Sequence, residues 1–135
     1  MKSLLLALAL VFTVSTAWAV NVVPADEVDA VITLEDVADT ETGMTGTVTN
    51  HGDVPVTEIK VLVSYGWLWK DDRRTDEASP GWTETHTLPL RLEAGQSQPF
   101  ALAHEQARPQ RDDGELTMSY KVLGFTRWVF QGARY

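Results

Sequence analysis

Cysteine is absent from the 135-residue chain, and its absence excludes several kinds of chemistry together. Disulfide bonds, thiolate metal sites and a thiol nucleophile all require this residue. The lipid anchor of a bacterial lipoprotein precursor requires it as well. Stability must therefore come from packing and from the hydrogen bonds of a β-ladder, which a chain of this size can supply.

Basic residues are few, with 11 Lys and Arg against 19 Asp and Glu, and the formal net charge is −8. A protein of this sign repels nucleic acid phosphates and anionic lipid surfaces, so we expect neither as a partner. Hydrophobic residues at 44% and charged residues at 22% are ordinary globular values, which argues against wholesale disorder. The length fits one domain.

The N-terminus carries the features of an export signal. Lys2 precedes an apolar run from Leu4 to Phe12, and the small-residue site Ala17-Trp18-Ala19 follows. These are the three parts of a secretory signal peptide. The run is shorter than the roughly 20 residues that cross a bilayer. We therefore predict a helical signal peptide over residues 1–19, no membrane span after its removal, and a periplasmic or secreted protein.

The rest of the chain is predicted to be a short leader, residues 20–27, followed by one β domain, residues 28–135. Alternation of apolar and polar side chains is clearest from Val56 to Trp69, where a bend is expected near Gly66. The first strand is expected at Asp29 to Val37. About seven short strands separated by turn signals, without an amphipathic helix, predict an all-β antiparallel sandwich. The stripe expected to face inward is Ile59, Val61, Val63, Tyr65, Trp67 and Trp69.

Two segments resemble a known family. Gly46-Thr47-Val48-Thr49-Asn50 precedes an alternating valine strand, and Leu92 to Phe100 follows the pattern "L-x-P-G-x-x-x-x-F" with Ala94 in place of Pro. Over about residues 28 to 125 the chain resembles the bacterial FxLYD-type domains. That resemblance implies an immunoglobulin-like β-sandwich with an accessory role outside the cytoplasm. The family has no established catalytic residues, so it contributes no site.

No catalytic constellation is evident. Gly95 to Pro99 ends in Pro where a nucleophile elbow needs Gly, and His104 to Arg108 has Arg where a zinc-binding H-E-x-x-H motif needs the second His. We predict a non-enzymatic protein without a cofactor or metal. An enzyme would need a site assembled from scattered residues such as His86, Asp72 and Arg74.

Aromatic residues beside a charged loop form the candidate contact surface. Tryptophan suits both a small core and a platform for a glycan, a peptide or another envelope protein. We hypothesise a binding or accessory domain of the bacterial envelope. The alternative is an assembly protein that pairs an exposed sheet edge with a partner strand. The candidate binding residues are Trp67, Trp69, Asp72, Arg73, Arg74 and Trp82.

Overall fold

The computed structural model describes residues 18–23, 25–71, 73 and 78–130. The signal peptide predicted for residues 1–19 lies almost entirely outside them. Within the described residues, no helix has the length and apolar character needed to cross a membrane. The elements are β1 (Trp18–Val22), α1 (Ala25–Val31), β2 (Ile32–Asp39), β3 (Gly43–Asn50), β4 (Val56–Trp69), β5 (Trp82–Leu88), β6 (Ser97–Ala103) and β7 (Gly114–Phe130).

The strands form two antiparallel sheets, one in the order β1-β7-β4-β5 and the other in the order β2-β3-β6. One apolar core joins them, with Val61, Val63 and Val122 from the first sheet and Met44 and Val48 from the second. Each sheet can bury only one face, so packing the two apolar faces together is the stable arrangement. The prediction of an all-β sandwich is confirmed.

The period-2 pattern of β4 is confirmed in its burial. Ile59, Val61, Val63 and Tyr65 are buried, because alternate side chains of a strand point to the same face. β4 pairs with β7 without a register shift at Gly66, where the bend is predicted. The pairing is irregular between Thr57 and Val61, where the register shifts twice.

The N-terminal segment differs from its prediction. β1 and α1 occupy most of the expected leader, and Asp29 lies in α1 rather than at the start of the first strand. The local sequence has no period to reveal β1, which exists because it pairs antiparallel with the end of β7, from Trp18↔Phe130 to Val22↔Thr126. The predicted cleavage after Ala19 falls inside β1 and would leave three of its residues paired.

Asn50 holds the end of β3 to the following turn. Its side chain is fully buried and donates to the carbonyl oxygens of Val54 and Leu92, at 2.9 and 3.3 Å, while accepting from the Gly52 N–H at 2.9 Å. A buried amide is tolerated only when it is bonded in this way. The asparagine that ends the "G-x-V-x-N" segment is therefore a structural residue.

Candidate functional site

Trp67 and Trp69 lie on a two-stranded ribbon formed by the ends of β4 and β7. The pairing of β5 with β4 stops at Tyr65↔Trp82, whereas β4 and β7 remain paired as far as Trp69↔Gly114. The two indole rings are perpendicular neighbours, with centroids 6.2 Å apart and an interplanar angle of 76°. The ribbon thus carries a half-buried aromatic pair.

Arg111, from the loop that joins β6 to β7, covers this pair. Its guanidinium carbon lies 5.9 Å from the ring centroid of Trp67 and 5.3 Å from that of Trp69, within the range of a cation–π interaction. Asp113 holds the guanidinium in place by accepting from Nε at 3.0 Å and from Nη2 at 2.5 Å. The two tryptophan rings are therefore covered by the guanidinium group of Arg111 from the same chain.

Trp82 is not part of that platform. Its ring stacks on Tyr65, with centroids 4.4 Å apart, and its Nε1–H donates to the Glu84 carboxylate at 2.6 Å. Arg73 is exposed, and its backbone N–H donates to the side chain of Asp71. Asp72 and Arg74 lie outside the described residues. Of the four predicted residues that are described, Trp67 and Trp69 are brought into direct ring contact with each other.

Glu84 is the centre of a buried polar network. The residue is 3% exposed, and its carboxylate also accepts from the His86 Nε2–H and from the backbone N–H of Glu105, both at 2.8 Å. Burial acts to raise the pKa of Glu84, but the hydrogen bonds from Trp82, His86 and the backbone outweigh burial, and the pKa is lowered. The carboxylate thus stays ionised and anchors the start of the loop after β6.

Tyr65 and His104 extend this network to the other sheet. His104 Nε2 lies 3.1 Å from the Thr40 carbonyl oxygen, which only accepts, so Nε2 donates and Nδ1 is left to accept from the Tyr65 hydroxyl at 3.0 Å. Burial, Asp39 and Glu84 raise the pKa of Tyr65 to about 12, against an opposing effect of Arg108. The phenol therefore remains protonated at neutral pH.

This network has the character of a structural clamp. Arg108 donates to the Thr40 carbonyl oxygen at 3.1 Å and pairs with Asp39, so the loop after β6 is tied to both sheets. In the part of the chain that is described, no group of three or more His, Cys, Asp or Glu residues could hold a metal ion. His86 bonds to Glu84, and His104 bonds to Tyr65 and to the Thr40 carbonyl oxygen, so both imidazole rings are hydrogen-bonded inside the network.

A different feature lies along β7. β1 pairs only with Thr126 to Phe130, and among the described strands none pairs with the same side of residues 114–125. We call this stretch the open edge. An open groove of about 390 Å³ lies between it and β2, lined by Ile32, Leu34, Tyr120 and Val122 among others. Tyr120 is 44% exposed there.

The hydrogen-bond phase of the ribbon identifies the backbone groups at the open edge. The Lys70 N–H bonds to the Asp113 carbonyl oxygen at 3.0 Å, which makes residues 70 and 113 a hydrogen-bonded pair. Such pairs alternate in an antiparallel ladder, and the β4–β7 register is unbroken from Val61 to Trp69. The N–H and C=O groups of Leu116, Met118, Tyr120 and Val122 therefore point away from β4, toward the open edge.

Sequence reasoning missed Glu84, Arg111 and the open edge. Glu84 had a detectable signal, because it has the same strand parity as Trp82 and Leu88 and so faces the core with them. Arg111 had none, since its contacts depend on the path of a loop. Comparison of the chain with protein-family models, curated proteins and solved structures found no match.

Proposed function

We propose that this protein is an exported, non-enzymatic binding domain of the bacterial cell envelope that pairs a strand of a partner protein with the open edge of β7. The single observation that carries the proposal is the row of backbone groups at Leu116, Met118, Tyr120 and Val122, which lacks a partner strand among the described residues. Backbone pairing with an added strand supplies affinity without a preformed pocket. The signal-peptide features of residues 1–19 support export.

We further propose that the sandwich is immunoglobulin-like. The order β2-β3-β6 facing β5-β4-β7 corresponds to strands A-B-E facing C′-C-F of such domains. The position beside β7 is then that of strand G. β1 fills that position over five residues only, from Thr126 to Phe130, before the chain turns away into α1. The open edge is the remainder of the strand G position.

The composition of the open edge supports a role in pairing. Natural edge strands are commonly protected by lysines, prolines or short length. Residues 114–125 contain one lysine, Lys121, and no proline, and they belong to the longest strand described, of 17 residues. Tyr120 and Leu123 are exposed apolar side chains on this stretch. An edge with so little protection is suited to accept another strand.

The second candidate surface is the pair Trp67 and Trp69 with Arg111, which would bind a glycan or a peptide. The Nε1 atom of Trp67 is buried and has no hydrogen-bond partner among the described residues, so a ligand acceptor that reached it would satisfy its N–H. A Trp69→Ala variant that binds every tested ligand like the wild type would argue against this surface.

The proposed function is tested by hydrogen exchange with a synthetic probe. The probe is a ten-residue peptide of alternating Val and Thr, and the control is the same peptide N-methylated at every residue, which has no N–H donor on either edge. We expect the unmodified peptide to slow amide exchange at Leu116, Met118 and Tyr120, and the methylated one to have no effect. Protection confined to the edges of β2, β5 or β6 would refute the assignment to β7.

A proline variant provides the matched mutational test. The N–H of Tyr120 faces the open edge, so Tyr120→Pro removes a donor from the edge but no hydrogen bond to β4. Tyr120→Val shortens the side chain and keeps the donor. We expect the proline variant to lose peptide binding and the valine variant to retain it. Equal binding by both variants would contradict pairing at this position.

A further inference from the structure

We propose that the partner strand is an extended segment that alternates apolar and polar side chains and is flanked by Lys or Arg. This inference rests on the proposed function, because it names the chemistry of the segment that occupies the open edge. It is carried by two observations: the apolar groove between β7 and β2, and the exposed acidic residues Asp29, Glu35 and Asp36 on the neighbouring elements α1 and β2.

The groove determines which side chains of the partner strand must be apolar. Tyr120 and Val122 lie directly opposite Val63 and Val61 on β4, and directly opposite residues share a face, so they point toward the interior of the sandwich. A strand added beside them would place every second side chain on the same face. There it would meet Ile32 and the half-buried Leu34 of β2. Those positions of the partner must therefore be apolar, and the intervening ones face water.

The open edge limits the length of the partner segment. α1 lies beside the groove, with Val28 fully buried and Asp29 among the lining residues. The part of the open edge before the register shift at Lys60↔Gly124, from Gly114 to Val122, is nine residues long, about 30 Å at roughly 3.3 Å per residue. A partner segment of up to this length can pair with it.

The acidic residues beside the groove favour basic residues on both sides of the partner segment. Asp29 lines the groove, and the exposed Glu35 and Asp36 follow Leu34 along β2, whereas Lys121 is the basic residue among the groove's lining residues. The whole chain carries a net charge of −8. A second copy would bring the same charge and the same acidic rim, and would be repelled at long range. A basic segment would be attracted, which favours it as the occupant.

Three peptides test this selection on the protein as purified after export. They share an alternating Val-Thr core and differ in their flanks, which are Lys-Lys, Ser-Ser or Glu-Glu at both ends. We expect the Lys peptide to bind at least ~10-fold more tightly than the Ser peptide at low ionic strength, and the Glu peptide to bind most weakly. The difference should shrink in high salt, because rim charges are screened.

Charge-removing variants locate the selectivity. We expect the triple variant Asp29→Asn, Glu35→Gln, Asp36→Asn to bind the Lys and Ser peptides within about threefold of each other. Asp36 adopts a positive φ of 51°, which Asn also tolerates, so this set preserves the backbone. The matched control removes three exposed carboxylates elsewhere and should keep the preference for Lys. It is Asp53→Asn, Glu93→Gln, Asp112→Asn.

The outcomes separate this inference from the proposed function. Equal binding of the Lys and Ser peptides, with protection of the β7 amides, would leave edge pairing intact and overturn the basic flanks. Failure of every peptide to protect those amides would overturn both. Lys-peptide binding that survives in Tyr120→Pro would show charge attraction without pairing. A concentration-dependent dimer that Tyr120→Pro abolishes would identify a second copy as the occupant and overturn the inference.

Discussion

Replacement of Glu84 by Gln tests whether an ionised carboxylate holds the loop after β6 to the sandwich. Gln keeps the size and shape of the side chain. Its single carbonyl oxygen can still accept from Trp82 Nε1 and from the Glu105 amide, both of which donate to the same carboxylate oxygen in the wild type. The substitution removes the negative charge and replaces the second oxygen, which now accepts from His86, by a donor.

The expected cost follows from these three hydrogen bonds. A bond to a charged acceptor contributes about 1.5–3 kcal/mol and a neutral one about 0.5–1.5 kcal/mol. The bonds from Trp82 and Glu105 weaken by about 1 kcal/mol each, and His86 keeps a bond if it adopts the tautomer whose Nε2 accepts from the Gln amide, so the expected loss for Glu84→Gln is about 2 kcal/mol. Glu84→Ala leaves all three donors without an acceptor in a buried site, and we expect a loss of about 4 kcal/mol.

The pH dependence provides an independent signature. Because the pKa of Glu84 in the folded protein lies below its ordinary value of 4.5, the unfolded chain binds the proton more readily. The stabilisation is therefore complete above pH 4.5 and is lost as the pH falls through the folded-state pKa. The wild type and Glu84→Gln should differ most at pH 7, and the difference should shrink below pH 4.5.

Urea unfolding followed by tryptophan fluorescence measures both effects at pH 7 and at several values below 4.5. Glu93→Gln is the matched control, because Glu93 is 58% exposed and its pair with Arg91 is a surface pair, so its loss should cost no more than about 0.5 kcal/mol. If Glu84→Gln has the same free energy of unfolding and the same acid dependence as the wild type, the carboxylate does not anchor the loop.

Three further substitutions have expected outcomes. Asn50→Ala should lower the free energy of unfolding by about 3 kcal/mol in the same urea assay, because it removes the side-chain hydrogen bonds to the backbone groups of Gly52, Val54 and Leu92. Tyr65→Phe should lower the free energy of unfolding by about 1 kcal/mol, because the bond to His104 is lost. The wild type should also lose stability between pH 10 and 12, where the phenol ionises in the unfolded chain but not in the folded protein, whose Tyr65 pKa is about 12. The Phe variant should lack this loss. Arg111→Ala should increase acrylamide quenching of Trp67, whereas unchanged quenching would show that the guanidinium does not cover the ring.

The parts of the fold that follow from local alternation were predictable. Ile59, Val61 and Val63 had to face one side of β4, because a strand places alternate residues on the same face. β1 was not predictable, since its residues have no period of their own and become a strand only by pairing with the distant end of β7. The register shift near Lys60 was also not predictable, because it depends on how β4 pairs with β7.

The candidate sites divide in the same way. Trp67 and Trp69 share a strand and a parity, so their contact could be predicted from the sequence. Trp82 does not join this pair, because its indole Nε1–H donates to the buried carboxylate of Glu84. The placement of Arg111 and the open edge of β7 depend on how a loop and an N-terminal segment pass over the sandwich. The local sequence pattern predicts neither the path of the loop nor that of the N-terminal segment.

The pairing of β1 with the end of β7 joins residues from opposite ends of the described chain. β1 is therefore the first of the described strands to be synthesised, and its partner β7 is the last. β1 cannot complete its pairing until nearly all of the described chain is available, since the loop to be closed spans the whole domain. The leading strand of the sandwich therefore stays unpaired during synthesis, and the sandwich is completed only when β7 has been made.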